Sequence, residues 1–340
     1  MQFFLKVAQK LSRLKNASTA LLIVMFVAGS ATVIHVLEPT TFESWFNAFY
    51  WVMTTMATVG YGDYFPVTVW GKLFTIFLYI FGIGLLSLVI GKVIDRMMDF
   101  QRKRRAGKLQ YHGKEHVVIV NWSKKAQYAA EEMISYLPET GIVVIDEMDT
   151  HPMEDHDRIH FVSGDPSSAE VLNRANIRDA RAAIIFADAR IDEPALADGK
   201  SLLIVSSIEE IAPRVHTTVE IIQEKHIPNF RHANVNEFIL SHDAISRLAV
   251  RAALQEGNPE IFSQLLSRRH GDNIYEIQVR AEWRTYGDAF QALLRQGATL
   301  ISDRGDLGIN RKLDAPIPEA ARLYVISDEA TYRKLSGGTH

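Results

Sequence analysis

Three long stretches without a formal charge occupy the N-terminal part of this chain. They run over residues 16–37, 44–62 and 73–91. As helices, the first and the last would measure about 33 Å and 28 Å, which is enough to cross the hydrocarbon core of a bilayer. A cleaved signal peptide would be shorter and would end in a small-residue cleavage site, which the first stretch lacks. The pattern therefore predicts two membrane spans with a third apolar stretch between them.

The middle stretch is predicted to enter and leave the membrane on one side. Lys and Arg concentrate on the cytoplasmic side of membrane segments. Here they are Lys6, Lys10, Arg13 and Lys15 before the first span, and Lys92, Arg96, Arg102, Lys103, Arg104, Arg105 and Lys108 after the last. Both termini are then cytoplasmic and the number of full crossings is even. Residues 44–62 are expected to form a re-entrant helix and loop, because non-helical backbone at that depth must be buried in protein or line water.

Beyond residue 114, short apolar runs alternate with amphipathic helical stretches such as 124–137. This alternation is typical of parallel sheets built from βαβ units, and it predicts a doubly wound, Rossmann-type domain. The predicted strands are 116–120, 142–145, 159–162, 182–186, 215–222 and 238–240. A smaller α+β unit is expected to follow, with strands near 274–279, 299–302 and 323–326 and a helix near 286–296.

Composition adds an asymmetry of charge to this architecture. The net charge is −3, but the N-terminal third is basic and the remainder is acidic, which argues against a nucleic-acid partner and suits the attraction of cations. The chain has no cysteine, which excludes disulfides and thiolate metal sites. We predict a membrane all-α pore at 1–98, a linker at 99–114, a Rossmann-type lobe at 115–250 and a C-terminal lobe at 251–340.

The segment from Thr54 to Asp63 reads Thr-Thr-Met-Ala-Thr-Val-Gly-Tyr-Gly-Asp. Backbone carbonyls can replace the water shell of a potassium ion when successive oxygens turn toward one axis. Glycine, which has no Cβ, permits the dihedral angles that such a backbone needs. The segment resembles the selectivity filter of potassium channels, in which threonines precede a Gly-Tyr-Gly triplet. The residues predicted to surround K+ are Thr58, Val59, Gly60, Tyr61 and Gly62.

The resemblance to potassium channels implies further features. One loop supplies a quarter of each carbonyl ring, so the pore is expected to be a homotetramer in the lipid bilayer of the plasma membrane. Gly82 has the spacing of the gating hinge in related channels, and close helix packing is its alternative role. Many members pair an acid on the pore helix with the aspartate after the filter, but Thr54 stands there, so Asp63 lacks that partner. The aromatic residues at 45–51 either wedge the pore helix against its neighbours or anchor it at the membrane interface.

A second resemblance lies in the Rossmann-type lobe. The string Phe-Val-Ser-Gly-Asp-Pro at 161–166, followed by residues 172–182, is similar to the RCK, or TrkA-type, domain that regulates potassium conductance. The similarity covers about residues 115–250 and implies a ligand crevice beside the turn that contains Asp165. Small C-terminal lobes of such domains pair across subunits. Whether separate soluble RCK copies complete an eight-membered ring stays open.

The residues leave the regulatory ligand open between a nucleotide and a divalent cation. Asp146, at the end of the second predicted strand, is placed to accept hydrogen bonds from ribose hydroxyls, although it also suits a strand cap. The first turn has Asn121, Trp122 and Ser123 where a dinucleotide-binding fold has glycines, so side chains obstruct the approach of a pyrophosphate.

A calcium site of the kind found in calcium-gated archaeal relatives is expected to be incomplete. Those relatives use a cluster of carboxylates, of which Glu220 matches one, while Ile222 stands at the second and the third falls at 186 or 187. Asp188 is a neighbouring substitute, with a solvated acidic loop as the alternative. The loop at 149–160 contains histidines and carboxylates without fixed spacing, and we expect a hydrated loop there rather than a metal site.

These observations predict a potassium channel, not an enzyme, gated by ligand binding to a cytosolic RCK ring. In this hypothesis the linker pulls on the inner helices, the last spans of the subunits, and bends or straightens them near Gly82. One alternative is a membrane-tethered NAD-dependent oxidoreductase, which calls for a glycine-rich first turn and a positioned acid or base. Another is a non-conducting regulatory subunit of a potassium transporter, which would have no reason to retain residues 58–62.

Overall fold

The computed structural model describes residues 16–137, 139–266 and 271–336. It divides into two compact units, Met1–Lys103 and Arg104–His340, which are described separately here. The basic residues predicted to precede the first span lie outside the described residues.

The part of the first unit from residue 16 onward, which the structure describes, contains three helices. They are α1 (Asn16–Leu37), α2 (Trp45–Met56) and α3 (Val69–Arg105). By length and composition, Ser18–Leu37 and Val69–Arg105 are able to cross a membrane, and the short α2 is not among the candidate spans. The middle apolar stretch is therefore a helix followed by non-helical backbone, as the re-entrant hypothesis requires.

Aromatic packing fixes α2 against the chain around it. Trp51 is buried and lies 5.3 Å from the ring of Phe42 between ring centroids. The indole nitrogen of Trp45 donates to Thr32 Oγ1 of α1 at 3.1 Å. Phe46, in contrast, is 66% exposed within the single chain. The burial of Trp51 supports the wedge hypothesis for that residue. The exposure of Phe46 leaves its ring free to contact a neighbouring subunit or the membrane interface.

The third helix is longer than the hydrophobic pattern predicts. The pattern fades after Gly91 into what we expected to be a charged linker from residue 99, yet α3 continues to Arg105. The added segment consists mainly of good helix formers, and Asp99 and Lys103, one turn apart, form an ion pair of 2.8 Å. Charge ended the apolar pattern here without ending the helix.

The second unit begins with a parallel sheet of six strands in the order β3-β2-β1-β4-β5-β6. The strands are β1 (His116–Val120), β2 (Ile142–Asp146), β3 (Ile159–Ser163), β4 (Ala180–Ile185), β5 (His216–Ile221) and β6 (Glu237–Leu240). The helices that follow strands are α4 (Lys124–Tyr136), α5 (Ala169–Arg174) and α6 (Pro194–Ile211). This is the predicted Rossmann-type arrangement.

Burial explains why these strands could be found from sequence. Every residue of β1 and of β2 is buried, because helices cover both faces of the sheet. The order of the strands reverses direction between β1 and β4. In open α/β sheets, ligands bind in the crevice at the carboxyl ends of the strands beside such a point.

The remainder of the second unit contains two amphipathic helices and a small lobe. The helices α7 (Ser241–Leu254) and α8 (Asn258–Leu266) bury none of their residues in this chain. The lobe is a three-stranded antiparallel sheet, in the order β7-β9-β8, formed by β7 (Asn273–Ile277), β8 (Thr299–Asp303) and β9 (Leu323–Ser327). The helices α9 (Tyr286–Leu294) and α10 (Glu329–Leu335) pack on it.

Candidate functional site

The predicted filter begins where α2 ends. Ser44 caps the start of α2 by accepting from the amide of Asn47 at 3.2 Å. At the other end, the amides of Val59 and Gly60 donate to the carbonyl of Thr54 at 2.9 and 3.3 Å. The loop is thereby tied back to the last turn of the helix. The sequence analysis singled out Thr54 because it replaces an acidic residue of related channels. In the structure, its main-chain oxygen anchors the loop.

Alternate residues of the loop have left-handed backbone. The φ angles of Thr58, Gly60 and Gly62 are 60°, 55° and 80°, whereas Val59 and Tyr61 are absent from the described residues with positive φ. No backbone amide in the described part of the chain donates to the carbonyl oxygens of residues 58–62. These oxygens are therefore available to a cation.

The helix α3 contacts the last residue of α2, just before this loop, through a glycine. A Cβ placed on Gly82 would lie 3.0 Å from Cγ of Met56, the last residue of α2, whereas one on Gly84 would meet no atom within 4 Å. Gly82 is therefore a close-packing position, which was the alternative to a hinge. The hinge itself stays a prediction.

A buried carboxylate joins the end of α1 to the start of α3. Glu38 follows α1, and its Oε1 accepts from the amide and the hydroxyl of Thr68 at 2.7 and 2.6 Å. Thr68 in turn caps α3, because its hydroxyl oxygen accepts from the Gly71 amide at 3.1 Å. Asp63, after the predicted filter, accepts locally from the Tyr64 amide at 3.1 Å. The contact between the end of α1 and the start of α3 depends on Glu38, which the motif did not predict.

The candidate ligand crevice opens at the carboxyl ends of β1, β2 and β4. Asn121 directly follows β1, has a φ of 66° and donates through Nδ2 to the carbonyl of Phe186 at 2.7 Å. Its Oδ1 is buried and has no hydrogen-bond partner within the described residues. Ser123 caps α4 by accepting from the Ala126 amide at 3.4 Å. A polar ligand atom at this turn would satisfy the Asn121 oxygen.

Asp146 is already occupied by groups of the protein. Its carboxylate is 1% exposed and accepts from the amides of Trp122 and Met148 at 2.7 and 3.1 Å. It also accepts from the guanidinium of Arg190 at 3.1 Å. The turn that contains Asp165 lies beside it, because the Gly164 amide donates to the main-chain oxygen of Asp146 at 2.9 Å. Asp165 itself is exposed and accepts from Ser167 at 2.9 and 2.8 Å.

Arg190 joins two carboxylates across the end of the sheet. Besides Asp146, it donates to Asp188 from Nε at 2.8 Å and from Nη2 at 2.9 Å. Lys200 of α6 donates to the same Asp188 at 2.8 Å and to Glu147 at 3.4 Å. Burial opposes ionisation of Asp188, but these cations prevail and hold its pKa well below its usual range. Hydrogen bonding to Asp188 likewise raises the pKa of Arg190. Both groups are therefore charged at neutral pH.

The calcium candidate Glu220 is engaged elsewhere. Its buried carboxylate accepts from Lys125 Nζ at 2.5 Å and from the Ala187 amide at 3.0 Å. Asp188, the suggested substitute ligand, is held by Arg190 and Lys200. No group of three or more Asp, Glu, His or Cys side chains suited to a metal ion occurs among the described residues. In this structure Glu220 is the partner of Lys125, and its role as a metal ligand stays a prediction.

The loop expected to be a hydrated acidic segment instead fastens the chain that enters this unit. The main-chain oxygen of Arg105 accepts from the His151 amide at 2.8 Å, and the oxygen of Gly107 accepts from the Ser163 amide at 3.0 Å. Arg105 also forms an ion pair with Glu154. His151 is buried, and this burial lowers its pKa. Sequence spacing gave no sign of these contacts, since they join an acidic loop to a basic segment remote along the chain.

Both parts of the chain are similar to known proteins. Residues 21–99 match the ion channel family model, and residues 141–219 match the RCK domain model of slowpoke-like calcium-activated potassium channels. The chain is 31% identical to the putative potassium channel protein YugO of Bacillus subtilis, over 63% of this chain and 65% of that protein. It is 28% identical to the calcium-gated potassium channel TvoK of Thermoplasma volcanium, over 69% of this chain and 68% of that protein.

A solved structure is similar in fold. The gating ring of human SLO3 is matched with a TM-score of 0.52 at 14% identity, over 65% of this chain and 46% of that one. In length, the chain spans about two thirds of YugO and of TvoK in these matches.

Proposed function

Because the chain joins an ion-channel segment to an RCK domain in one membrane protein, we propose that it forms a potassium-selective pore regulated by a ligand on the RCK domain. The observation that supports this most strongly is the loop after α2. Its left-handed angles fall at Thr58, Gly60 and Gly62, and its carbonyl oxygens accept no backbone hydrogen bond within the described residues. Four such loops would surround dehydrated K+ with oxygen ligands.

We propose a homotetramer in the inner membrane with both termini in the cytoplasm. A single chain leaves Val59 52% and Tyr61 70% exposed, which suits a loop completed by neighbouring copies. The apolar side chains of α7 and α8 support contacts between copies in the cytosolic part, because Ile245, Leu254 and Leu266 are each exposed by 65% or more. Such contacts agree with a ring of RCK domains. They are compatible with a ring of four RCK domains and with a ring of eight.

For the regulatory ligand we propose a nucleotide at the ends of β1 and β2. The crevice offers carboxylates on one side and the cations Arg190 and Lys200 on the other. A ribose hydroxyl would compete with Arg190 for Asp146, and a phosphate would receive the guanidinium that is displaced. A bare divalent cation would have to remove both cations from the carboxylates without offering them a new partner. TvoK is named as calcium-gated, but the engaged Glu220 gives a calcium site little support in this chain.

Ligand binding would act on the pore through the entering segment. Arg105 and Gly107 are held by the loop that contains His151 and by the end of β3. A ligand that changes the arrangement of these elements, and binds one arrangement more tightly, would shift the tension on α3. The direction of the effect, opening or closing, depends on which arrangement the ligand prefers.

The conduction hypothesis is tested with Gly60→Ala. An L-residue at a φ of 55° costs about 1–2 kcal/mol, so the loop is expected to relax and K+ flux in proteoliposomes should fall at least tenfold, with loss of selectivity over Na+. Gly29→Ala is the matched control, since a Cβ at that helical position meets no atom within 4 Å. If the Gly60 variant keeps selective flux equal to that of the Gly29 variant, the filter assignment is wrong.

A further inference from the structure

A small groove lies between α1 and α3, near the end of the first unit that we place at the cytoplasmic face. Its volume is about 190 Å³, and its lining includes Thr19 and Ile23 of α1 with Val89, Lys92 and Arg96 of α3. It is distinct from the filter loop and from the crevice of the Rossmann-type lobe. We propose that this groove binds an anionic phospholipid of the inner leaflet, with the headgroup at Lys92 and Arg96.

The polar groups of the groove are cationic and lie together. Lys92 Nζ donates to Thr19 Oγ1 at 2.6 Å, which fixes the ammonium group at the mouth of the groove. Arg96 is exposed and follows Lys92 by four residues, so both side chains emerge on one face of α3. Among the described residues that line the groove there is no carboxylate. The nearby Asp99 is held by Lys103 at 2.8 Å. A phosphate is the anion that such a pair of cations recognises.

The order of the side chains matches the order of chemical groups in a phospholipid. The chain of α3 runs inward, so Val89 lies deeper in the predicted membrane than Lys92, and Arg96 lies nearest the cytoplasm. On α1, which runs outward, Ile23 is likewise deeper than Thr19. Apolar side chains therefore line the part of the groove at acyl-chain depth, and the cations lie at headgroup depth. Val93, also in the lining, is 54% exposed and adds apolar surface beside them.

These features favour a lipid over a dissolved anion. A free phosphate ion would contact the two cations, but it would not cover the apolar side chains of Ile23, Val89 and Val93. The acyl chain of a lipid would remove that apolar surface from water. Anionic lipids are concentrated in the cytoplasmic leaflet, and basic pockets between membrane helices on that side bind their headgroups. The proposal requires insertion of α1 and α3 in the membrane, but it does not require conduction.

The test is lipid binding by the full-length protein. The purified protein is titrated with phosphatidylglycerol, and with phosphatidylcholine as the neutral comparison, and bound lipid is counted by native mass spectrometry. We expect Lys92→Gln/Arg96→Gln to weaken phosphatidylglycerol binding about 20–30-fold, from the loss of two cations near the membrane surface. Arg102→Gln/Lys108→Gln removes the same charge outside the groove, keeps the Asp99–Lys103 pair, and should change binding less than threefold.

Several outcomes would overturn the proposal. Equal losses in the two double variants would indicate general attraction to a basic helix, and no loss in either would indicate lipid bound elsewhere. Full displacement of the lipid by inorganic phosphate at millimolar concentration would indicate a site for a free anion. A cross-link from residue 93 to a neighbouring subunit would indicate that protein fills the groove. Potassium flux is measured separately in the same variants. Because lipid binding is measured without it, a failure of the conduction hypothesis can be distinguished from a failure of the lipid proposal.

Discussion

The substitution Asp188→Asn examines whether the crevice of the Rossmann-type lobe is held by its charge network. Asp188 is 4% exposed and accepts from the amide and the guanidinium of Arg190 and from Lys200 at 2.8–3.0 Å. Asparagine has nearly the same shape, so packing is retained. Its Nδ2 group, however, would face the donors of Arg190 and Lys200 in place of an accepting oxygen.

The expected loss of stability is about 2 kcal/mol. Breaking a buried ion pair costs about 3–5 kcal/mol, since it leaves an uncompensated charge. Here the side chains of Arg190 and Lys200 are 49% and 22% exposed, so water takes over part of the lost interaction and the cost is smaller. In a unit of this size, each kcal/mol shifts the melting temperature by about 2–4 °C. The apparent Tm of the second unit in the purified full-length protein should therefore fall by about 4–8 °C.

The dependence on pH gives the prediction its sign. Because the folded-state pKa of Asp188 is lowered, the carboxylate contributes stability that is present above its unfolded-state pKa, near 3.9, and that is lost as the pH falls through its folded-state pKa. The difference in Tm between wild type and Asp188→Asn should stay constant from about pH 8 to about pH 5 and shrink only under more acidic conditions.

The assay is thermal unfolding followed by fluorescence, with hydrogen exchange over residues 186–200 to locate the effect. Asp192→Asn is the matched control, because Asp192 is exposed on the same loop. A shift of less than 1 °C at Asp188, or a shift equal to that of the control, would refute the argument that this network holds the crevice together. A difference that already disappears between pH 8 and pH 6 would refute the assigned direction of the pKa shift.

Two further predictions concern coupling and assembly. Gly107→Ala places a Cβ against the Ser163 amide at a φ of 59°, so K+ flux should persist while its response to nucleotide falls at least threefold. The control is Gly199→Ala, where a Cβ meets no atom within 4 Å. Equal nucleotide responses in the two variants would contradict the proposed coupling through the entering segment. Ile245→Asp/Leu254→Asp should reduce the tetrameric fraction measured by mass photometry, because both side chains are exposed in the single chain; an effect no larger than that of Leu307→Asp would count against α7 as an interface.

The parallel sheet could be predicted from sequence because it is buried on both faces. A strand such as β2 then appears as a continuous apolar run, and Asp146 marks the point where the run reaches the surface. The end of α3 could not be predicted in this way. Between Gly91 and Arg105 the helix loses its apolar character but keeps good helix formers and the Asp99–Lys103 pair. Hydropathy indicates whether a segment favours an apolar or an aqueous environment, and it does not indicate where a helix ends.

The sequence predicts the candidate ligand site at the strand ends, but it does not predict the ion pairs that the structure has there. Asp146 and the turn at Asn121 follow from strand ends, which are visible in a sequence. Arg190 and Lys200 lie on a loop and a helix that fold over those ends, and their spacing from Asp146 carries no pattern. The one available signal was Asp188 followed by Arg190 directly after a predicted strand, since an acid and a base two residues apart at a ligand edge are suited to a shared network. The contacts of the acidic loop at 149–160 could not be predicted for the same reason, because its partner Arg105 is distant in sequence.

The filter loop shows why a threonine, and not a third glycine, begins the left-handed series. In extended backbone, successive carbonyls point to opposite sides, and inverting the hand of every second residue turns them to the same side. Gly60 and Gly62 adopt positive φ without a steric penalty, but at Thr58, a β-branched residue, the same conformation costs about 1–3 kcal/mol. Such strain persists only where the surroundings impose it, and here the amide of Thr58 bonds to the Thr55 oxygen at 3.1 Å while the next two amides are held by Thr54. A glycine would relieve the strain but would remove the hydroxyl, the single side-chain oxygen that this position can offer a cation as it leaves the row of carbonyls.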